Sequence, residues 1–130
     1  MRKIIFLMLV FLFILTGGCE TSSIKQEVLL YENTNVGESD GHYVSPDFAT
    51  PSTNSTNIKV YFDNQGDSNV TVTLEKKGLL ESWTKVDAFI VEAGEKLEQK
   101  MEGASKTTYR MKVDSSIGAK IKGHLKAERL

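Results

Sequence analysis

The sequence predicts an all-β protein, a small antiparallel β-sandwich that follows a cleaved leader and a partly ordered arm. Three observations support this fold class. From Ile58 onward, apolar and polar residues alternate with the two-residue period of strands that bury one face. The alternating segments are short and roughly evenly spaced, as in sandwiches and small barrels. No stretch keeps a helical apolar period for three turns, and no alternation of strands with helices appears.

The first two strands of this domain are predicted to form a hairpin. Residues 58–63 and 70–75 both alternate between apolar and polar side chains. The segment between them, Asp-Asn-Gln-Gly-Asp-Ser-Asn at residues 63–69, has the residue types that tight turns require. Its oxygen atoms also suggest a calcium loop, but the spacing and the closing glutamate of an EF-hand are missing. We therefore interpret it as a turn and predict no metal site.

Four further strands are predicted over residues 83–91, 97–101, 109–113 and 119–127. The last two should form a long antiparallel hairpin around the turn at residues 114–118. A set of six or seven short strands is similar to immunoglobulin-like and fibronectin-III-like sandwiches, although the cysteine pair of the former is absent. That resemblance implies a sandwich of residues 58–130.

An acidic arm is predicted to precede the sandwich. Residues 20–57 contain six acidic residues and one base, and they end in a polar run rich in Ser, Thr and Asn. Such a composition has little to bury. The apolar residues from Val28 to Tyr31 favour a first strand over a helix capped by Ser23, and residues 42–44 with Phe48 suggest a second short ordered piece. The rest of the arm, from residue 19, is expected to act as a tether.

The N-terminus reads as an export signal. Arg2 and Lys3 precede twelve unbroken apolar residues, 4–15, and small residues follow. Twelve residues in a helix span about 18 Å, which is short of the roughly 30 Å hydrocarbon core of a bilayer. A cleaved leader is therefore favoured over a permanent transmembrane helix.

Leu15-Thr16-Gly17-Gly18-Cys19 resembles the lipobox of bacterial lipoproteins. The resemblance implies that residues 1–18 are a lipoprotein signal peptide and that Cys19 becomes an N-terminus carrying a diacylglycerol. The protein would then lie on the extracytoplasmic face of the cell membrane, attached to the bilayer through Cys19. The alternative is an ordinary secretory signal with an incidental cysteine, which leaves an unpaired thiol in an exported protein.

Composition excludes several classes of function. The 130-residue chain has a net charge of −1 and a single cysteine. One cysteine excludes an internal disulfide framework and a zinc site of the multi-cysteine kind. The slightly acidic total argues against a nucleic-acid partner, because such binding depends on neutralising phosphates. No cofactor motif appears, so no cofactor is predicted apart from the covalent lipid.

A basic face is predicted on the last hairpin. Residues 103–130 contain seven bases and two acids, and strand alternation places five of the bases on the outward side. These residues are Arg110, Lys112, Lys120, Lys122 and Lys126. The face suits an anionic partner such as a wall polymer, a phospholipid surface or an acidic envelope protein. The simpler interpretation is that lysines on an edge strand block aggregation between sheets.

The histidines and the tryptophan are the remaining candidate site residues. His42 and His124 are the only histidines, and neither has a nucleophile motif beside it, so no catalytic residue is predicted. Trp83 is predicted to be the central core aromatic, with exposure beside Leu79 and Leu80 as the alternative.

The sequence as a whole favours a lipid-anchored, non-catalytic binding module at the cell envelope. A structural envelope component and a small anchored hydrolase remain the alternatives.

Overall fold

The computed structural model describes residues 28–51 and 57–130. The described chain forms nine strands and one short 3-10 turn, Leu79–Glu81. The strands are β1 (Val28–Glu38), β2 (His42–Val44), β3 (Phe48–Ala49), β4 (Ile58–Asn64), β5 (Val70–Lys77), β6 (Trp83–Val91), β7 (Lys96–Met101), β8 (Thr108–Ser115) and β9 (Ile121–Arg129).

These strands form two antiparallel sheets, which confirms the predicted sandwich. The first sheet has the order β1-β9-β4-β7. The second has the order β2-β8-β5-β6, and β3 also pairs with β8. Each inner face carries the apolar members of the alternation, because burial against the opposite sheet removes them from water.

Both predicted hairpins are wrong. β4 and β5 lie in different sheets, and so do β8 and β9. Among the described strands, β5 and β6 are the one consecutive pair that hydrogen-bonds directly. Residues 65–69 connect β4 to β5, and a connection of this length easily crosses the roughly 10 Å between packed sheets. Alternation identifies the strands. The pattern is the same whether two consecutive strands pair within one sheet or face each other across the core, so it does not predict which strands pair.

The described part of the acidic segment belongs to the sandwich. β1 pairs with β9 from Val28 to Glu38, and β2 and β3 pair with β8. Val36 and Phe48 are buried in the core. The predicted boundary at residues 57/58 therefore falls inside the sandwich, because the apolar side chains of residues 28–49 bury although the segment is acidic. The predicted signal peptide, Cys19 and the remainder of the arm lie outside the described residues.

The core lies between the two sheets. β4, β5, β8 and β9 bury alternate side chains along nearly their whole length. The central buried residues are Ile58, Val60, Phe62, Val72, Leu74, Met111, Val113, Leu125 and Ala127. Trp83 is not among them, so the prediction that it is the central core aromatic is wrong. Its pairing with Lys77 places the indole on the outer face of the second sheet, and Phe62 and Tyr109 fill the interior instead.

The predicted turn at residues 63–69 is held by the buried side chain of Asn64. Its Nδ2 donates hydrogen bonds to the carbonyl oxygens of Ser68 (2.8 Å) and Val91 (3.1 Å). Its Oδ1 accepts a hydrogen bond from the backbone N–H of Gly66 (3.0 Å). Asn69 Oδ1 accepts another from the backbone N–H of Ala93 (3.0 Å). These oxygens stabilise the sheet-to-sheet connection.

Gly123 lies where β9 packs against β4 with no room for a side chain. A Cβ at this position would lie 2.1 Å from the carbonyl oxygen of Asp63 and 2.7 Å from Cζ of Phe62. Both distances are far below van der Waals contact, and the oxygen belongs to the backbone of the central strand β4. Only glycine fits here without displacing that strand.

We expect Gly123→Ala to lower the free energy of unfolding by about 1–3 kcal/mol, because the added methyl group overpacks β4. Gly37→Ala is the matched control, since a Cβ there meets nothing within 4 Å. The control should be neutral or stabilising by about 0.5 kcal/mol. Urea denaturation of both variants measures the difference. Equal stability of the two variants would show that β9 and β4 are not so closely packed.

Candidate functional site

The five bases predicted to share one face do not do so. Arg110 and Lys112 lie on the outer face of the second sheet, whereas Lys122 and Lys126 belong to the first sheet. Lys120 lies in the connection between β8 and β9. The prediction depended on a β8–β9 hairpin. Because these strands face each other across the core, their outward side chains point in opposite directions.

Arg110 is the centre of a cluster on the outer face of the second sheet. Its Nε donates a hydrogen bond to Glu75 Oε1 at 2.7 Å. Its guanidinium carbon lies 4.2 Å from the ring centroid of Trp83, which is cation–π distance. Lys77 approaches the same ring at 5.8 Å and pairs with Asp47 at 3.8 Å. The positive charge of Arg110 is thus matched within the protein by an acid and an aromatic face.

Lys126 is matched in the same way on the first sheet. Its Nζ lies 2.9 Å from Glu128 Oε1 and 5.5 Å from the ring centroid of Tyr61. The hydrogen bond to Glu128 raises the pKa of Lys126. Two of the five predicted bases therefore have internal partners, which sequence spacing did not show.

Both histidines have acidic partners. His42 Nδ1 lies 2.8 Å from Asp114 Oδ1, and His124 Nε2 lies 2.8 Å from Glu32 Oε2. A histidine oriented by a carboxylate supplies two of the three groups of a hydrolytic triad. Among the described residues, the hydrogen bonds of neither ring include a nucleophilic hydroxyl or thiol. Both pairs lie on outer faces of the sandwich.

The sandwich has two open sides, and an aromatic column fills one of them. Tyr31 of β1 stacks on Phe48 at a centroid distance of 6.0 Å, and Phe48 stacks on Tyr109 at 6.2 Å. The hydroxyls of Tyr31 and Tyr43 share a short hydrogen bond, and Asn33 Nδ2 donates to Tyr43 Oη at 3.1 Å. Burial, reinforced by the bond to Tyr43, raises the pKa of Tyr31 to about 12. The column joins the edges β1 and β2 of the two sheets.

A cleft of about 520 Å³ occupies the other side. One wall is β6 from Thr84 to Asp87, and the facing wall is the start of the β7–β8 connection, residues 102–104. Tyr109 forms part of the lining, and its hydroxyl accepts a hydrogen bond from the backbone N–H of Ala104 at 2.6 Å. The aromatic column thus reaches from the filled side of the sandwich to the cleft.

The cleft carries charges of both signs. The charged lining residues are Lys76, Lys85, Asp87 and Glu102. Asp87 is held from two directions, since Gln99 Nε2 donates to Oδ2 (2.9 Å) and the backbone N–H of Ala88 donates to Oδ1 (2.8 Å). The lining therefore offers one carboxylate acceptor held in place by hydrogen bonds, together with lysine donors.

A β-bulge shapes this wall, and sequence reasoning missed it. Leu74 pairs with Asp87 but the next residue, Glu75, pairs with Lys85, so Val86 is the extra residue. A bulge re-aims the side chains around it, which is why bulges recur beside binding sites. The available signal was the pair of consecutive polar residues Thr84 and Lys85, which interrupts the alternation of residues 83–88.

The β5–β6 connection projects an apolar tip. Leu79 is 92% exposed and Leu80 is 99% exposed. Leu80 and Glu81 have positive φ angles of 65° and 59°, which are uncommon for residues other than glycine. We call Leu79 and Leu80 the leucine tip. From the sequence, an exposed patch of Leu79, Leu80 and Trp83 was the alternative to a core tryptophan, and the exposure of the two leucines agrees with that alternative.

The described ranges hold neither a candidate metal cluster nor a candidate membrane-spanning helix. Residues 28–51 and 57–130 contain no group of three His, Cys, Asp or Glu side chains placed to hold a metal ion. The same ranges contain no helix with the length and apolarity needed to cross a membrane.

Similarity to known proteins is confined to the fold. No family model matches the chain, and no curated protein matches it in sequence. PirA superposes with a TM-score of 0.54 at 13% identity, covering 77% of this chain and 94% of PirA. The CBM36-1 domain of a multidomain xylanase, from the hindgut metagenome of Trinervitermes trinervoides, has a TM-score of 0.50 at 9% identity, covering 81% and 97% of the two chains.

A Bacillus endospore appendage protein, from disulfide-linked pili, has a TM-score of 0.50 at 12% identity, with 81% and 88% coverage. At such identities the likeness establishes a β-sandwich. The narrower resemblance to immunoglobulin-like or fibronectin-III-like domains is not matched by these three structures.

The aromatic column makes stability sensitive to alkaline pH. Tyr31 ionises near its ordinary pKa of 10.0 in the unfolded chain but near 12 when folded, so the unfolded state loses its proton first. Its stabilising contribution is complete below pH 10 and is lost as the pH rises toward 12. We expect the urea midpoint to fall across this interval, and Tyr31→Phe to flatten the decline. An undiminished decline in Tyr31→Phe would assign the effect to another group.

Proposed function

We propose that this protein is a lipid-anchored, extracytoplasmic binding module that is not catalytic and holds a polysaccharide-like ligand in the cleft between β6 and the β7–β8 connection. The observation that carries the proposal is the cleft itself, with its fixed carboxylate and its charges of both signs. Its volume of about 520 Å³ falls within the roughly 300–1,000 Å³ typical of ligand sites.

The chemistry of the lining suits a sugar. A saccharide presents many hydroxyl groups, and each both donates and accepts hydrogen bonds. Asp87 and Glu102 supply acceptors, Lys76 and Lys85 supply donors, and the hydroxyl of Thr84 supplies both. Because Asp87 is already held by Gln99 and Ala88, little side-chain entropy is lost when it accepts a ligand hydroxyl.

The shared fold supports this choice of ligand class. The CBM36-1 domain is, by its description, a carbohydrate-binding module within a xylanase, and this chain covers 97% of it. A β-sandwich with a polar cleft is therefore compatible with sugar binding. In an exported protein the available polysaccharide is a wall polymer, which agrees with the envelope partner expected from the sequence.

The proposed anchor is Cys19, on the evidence of the segment Leu15–Cys19 and the apolar leader before it. Two acyl chains on one cysteine give stable attachment, whereas one chain binds reversibly. The anchor would hold the sandwich at the membrane surface, within reach of the wall.

A hydrolase remains the weaker alternative. The two histidine–carboxylate pairs are on outer faces, and neither His42 nor His124 lines the cleft. A catalytic site would need a nucleophile, a base and a bound substrate in one place.

Cleft binding is tested with Asp87→Asn and Glu102→Gln. Each variant replaces a charged acceptor by a neutral amide of the same shape, so we expect affinity for a bound polymer to fall about tenfold. The probes are purified peptidoglycan in a pull-down and soluble xylan in gel retardation. Glu98→Gln is the control, because Glu98 lies on the first sheet with its side chain 60% exposed. Binding that is absent, or equally weakened in Glu98→Gln, contradicts the assignment.

The anchor is tested by the intact mass of the N-terminal peptide from membrane-extracted protein. We expect a peptide that begins at Cys19 and carries two or three acyl chains, and a Cys19→Ala protein that keeps its leader. An unmodified peptide that starts elsewhere would show a freely secreted domain.

A further inference from the structure

The leucine tip lies at the end of the sandwich where the described chain begins. β4 runs from Ile58 to Asn64, and the connection to β5 joins Asn64 to Val70, so Val70 and Asn64 share one end. The tip follows Lys77 and therefore lies at the opposite end, with Ile58. Val28 pairs with Arg129, which also pairs with Ile58. Val28 and the leucine tip are thus at the same end.

This end carries exposed apolar side chains in two places. Besides the leucine tip, Val28 is 38% exposed and Leu29 is 54% exposed. Two adjacent, almost fully exposed leucines present apolar surface to water, and uncommon backbone conformations of this kind cluster at functional sites. Ile117, which is 77% exposed, lies in the β8–β9 connection at the other end and serves as a reference.

We propose that the leucine tip docks into the bilayer that receives the lipid on Cys19. The inference rests on the proposed anchor. The short length of chain between Cys19 and Val28 indicates that the surface contacted by the tip is the bilayer. Eight residues lie between Cys19 and Val28, so the nine chain steps from one to the other span at most about 32 Å when fully extended. An anchored sandwich therefore stays close to the membrane surface and is tethered by its Val28 end, which is the end that carries the leucine tip.

The surroundings of the tip favour apolar insertion over electrostatic attraction. The charged residues around it are Lys76, Lys77, Lys85 and Arg110 together with Asp47, Glu75 and Glu81. The two signs nearly balance, so docking should survive high salt. Trp83 follows Leu80 by three positions, and tryptophan is enriched at membrane interfaces.

Trp83 makes the proposal directly measurable, because it is the only tryptophan of the chain. The experiment reconstitutes the full lipidated protein in phosphatidylethanolamine–phosphatidylglycerol vesicles that contain brominated acyl chains, which quench tryptophan at short range. We expect quenching of Trp83 fluorescence that persists in high salt.

The test variant is Leu79→Ser/Leu80→Asn. Asparagine tolerates the positive φ of Leu80, so the turn is preserved while its apolar surface is lost. We expect the docking equilibrium to fall about tenfold for each leucine replaced, and the quenching to fall with it. Ile117→Ser is the matched control and should quench as the parent does.

The outcomes separate the two proposals. Protein that floats with the vesicles but shows no quenching overturns docking and leaves the anchor intact. Equal quenching in the tip variant and the parent also overturns it. Protein that neither carries lipid nor floats contradicts the proposed anchor. Docking is then overturned as well, because the bilayer was inferred as its partner from that anchor.

Discussion

The packing of two sheets through their alternate apolar side chains is the constraint on which this structure depends. β4, β5, β8 and β9 each have one apolar face, and each face is buried only when the other sheet covers it. Two local features accompany this packing: Gly123 lets β9 approach β4 within the first sheet, and the buried side-chain amide of Asn64 holds the connection between the sheets. This packing leaves two sides of the sandwich open. One is filled by aromatic rings, and the other is the cleft.

The sequence predicted the strands well and their neighbours poorly. Period-two alternation identified residues 58–63, 70–75 and 109–113, because a strand that buries one face has alternating apolar and polar residues within its own segment. Strand order depends on contacts between distant segments, which alternation does not encode. The basic face failed for this reason, since Arg110 and Lys126 were placed on one hairpin that does not exist. Trp83 was misplaced because size alone suggested burial, whereas register puts it outside.

The candidate site was less predictable than the fold. Its lining comes from β5, β6, the start of the β7–β8 connection and Tyr109, and the bulge at Val86 that shapes it appears only as a lapse in alternation. Charge counting pointed instead to five bases, and two of them, Arg110 and Lys126, are matched by Glu75, Glu128 and aromatic rings. Net charge along a chain counts ionisable groups without their partners, so a basic segment is a weak indicator of an anion-binding surface.

The pairing of β1 with β9 has a consequence for how the molecule reaches its native state. The first and last described strands are neighbours, with Val28 opposite Arg129, and β5–β6 is the single local hairpin among the described strands. Most of the pairing therefore closes long loops, and topologies of this kind fold slowly. The first sheet is incomplete until β9 is available, because β9 lies between β1 and β4. If the chain is exported as proposed above, it would stay unfolded during transit and would gain its structure only after β9 had crossed.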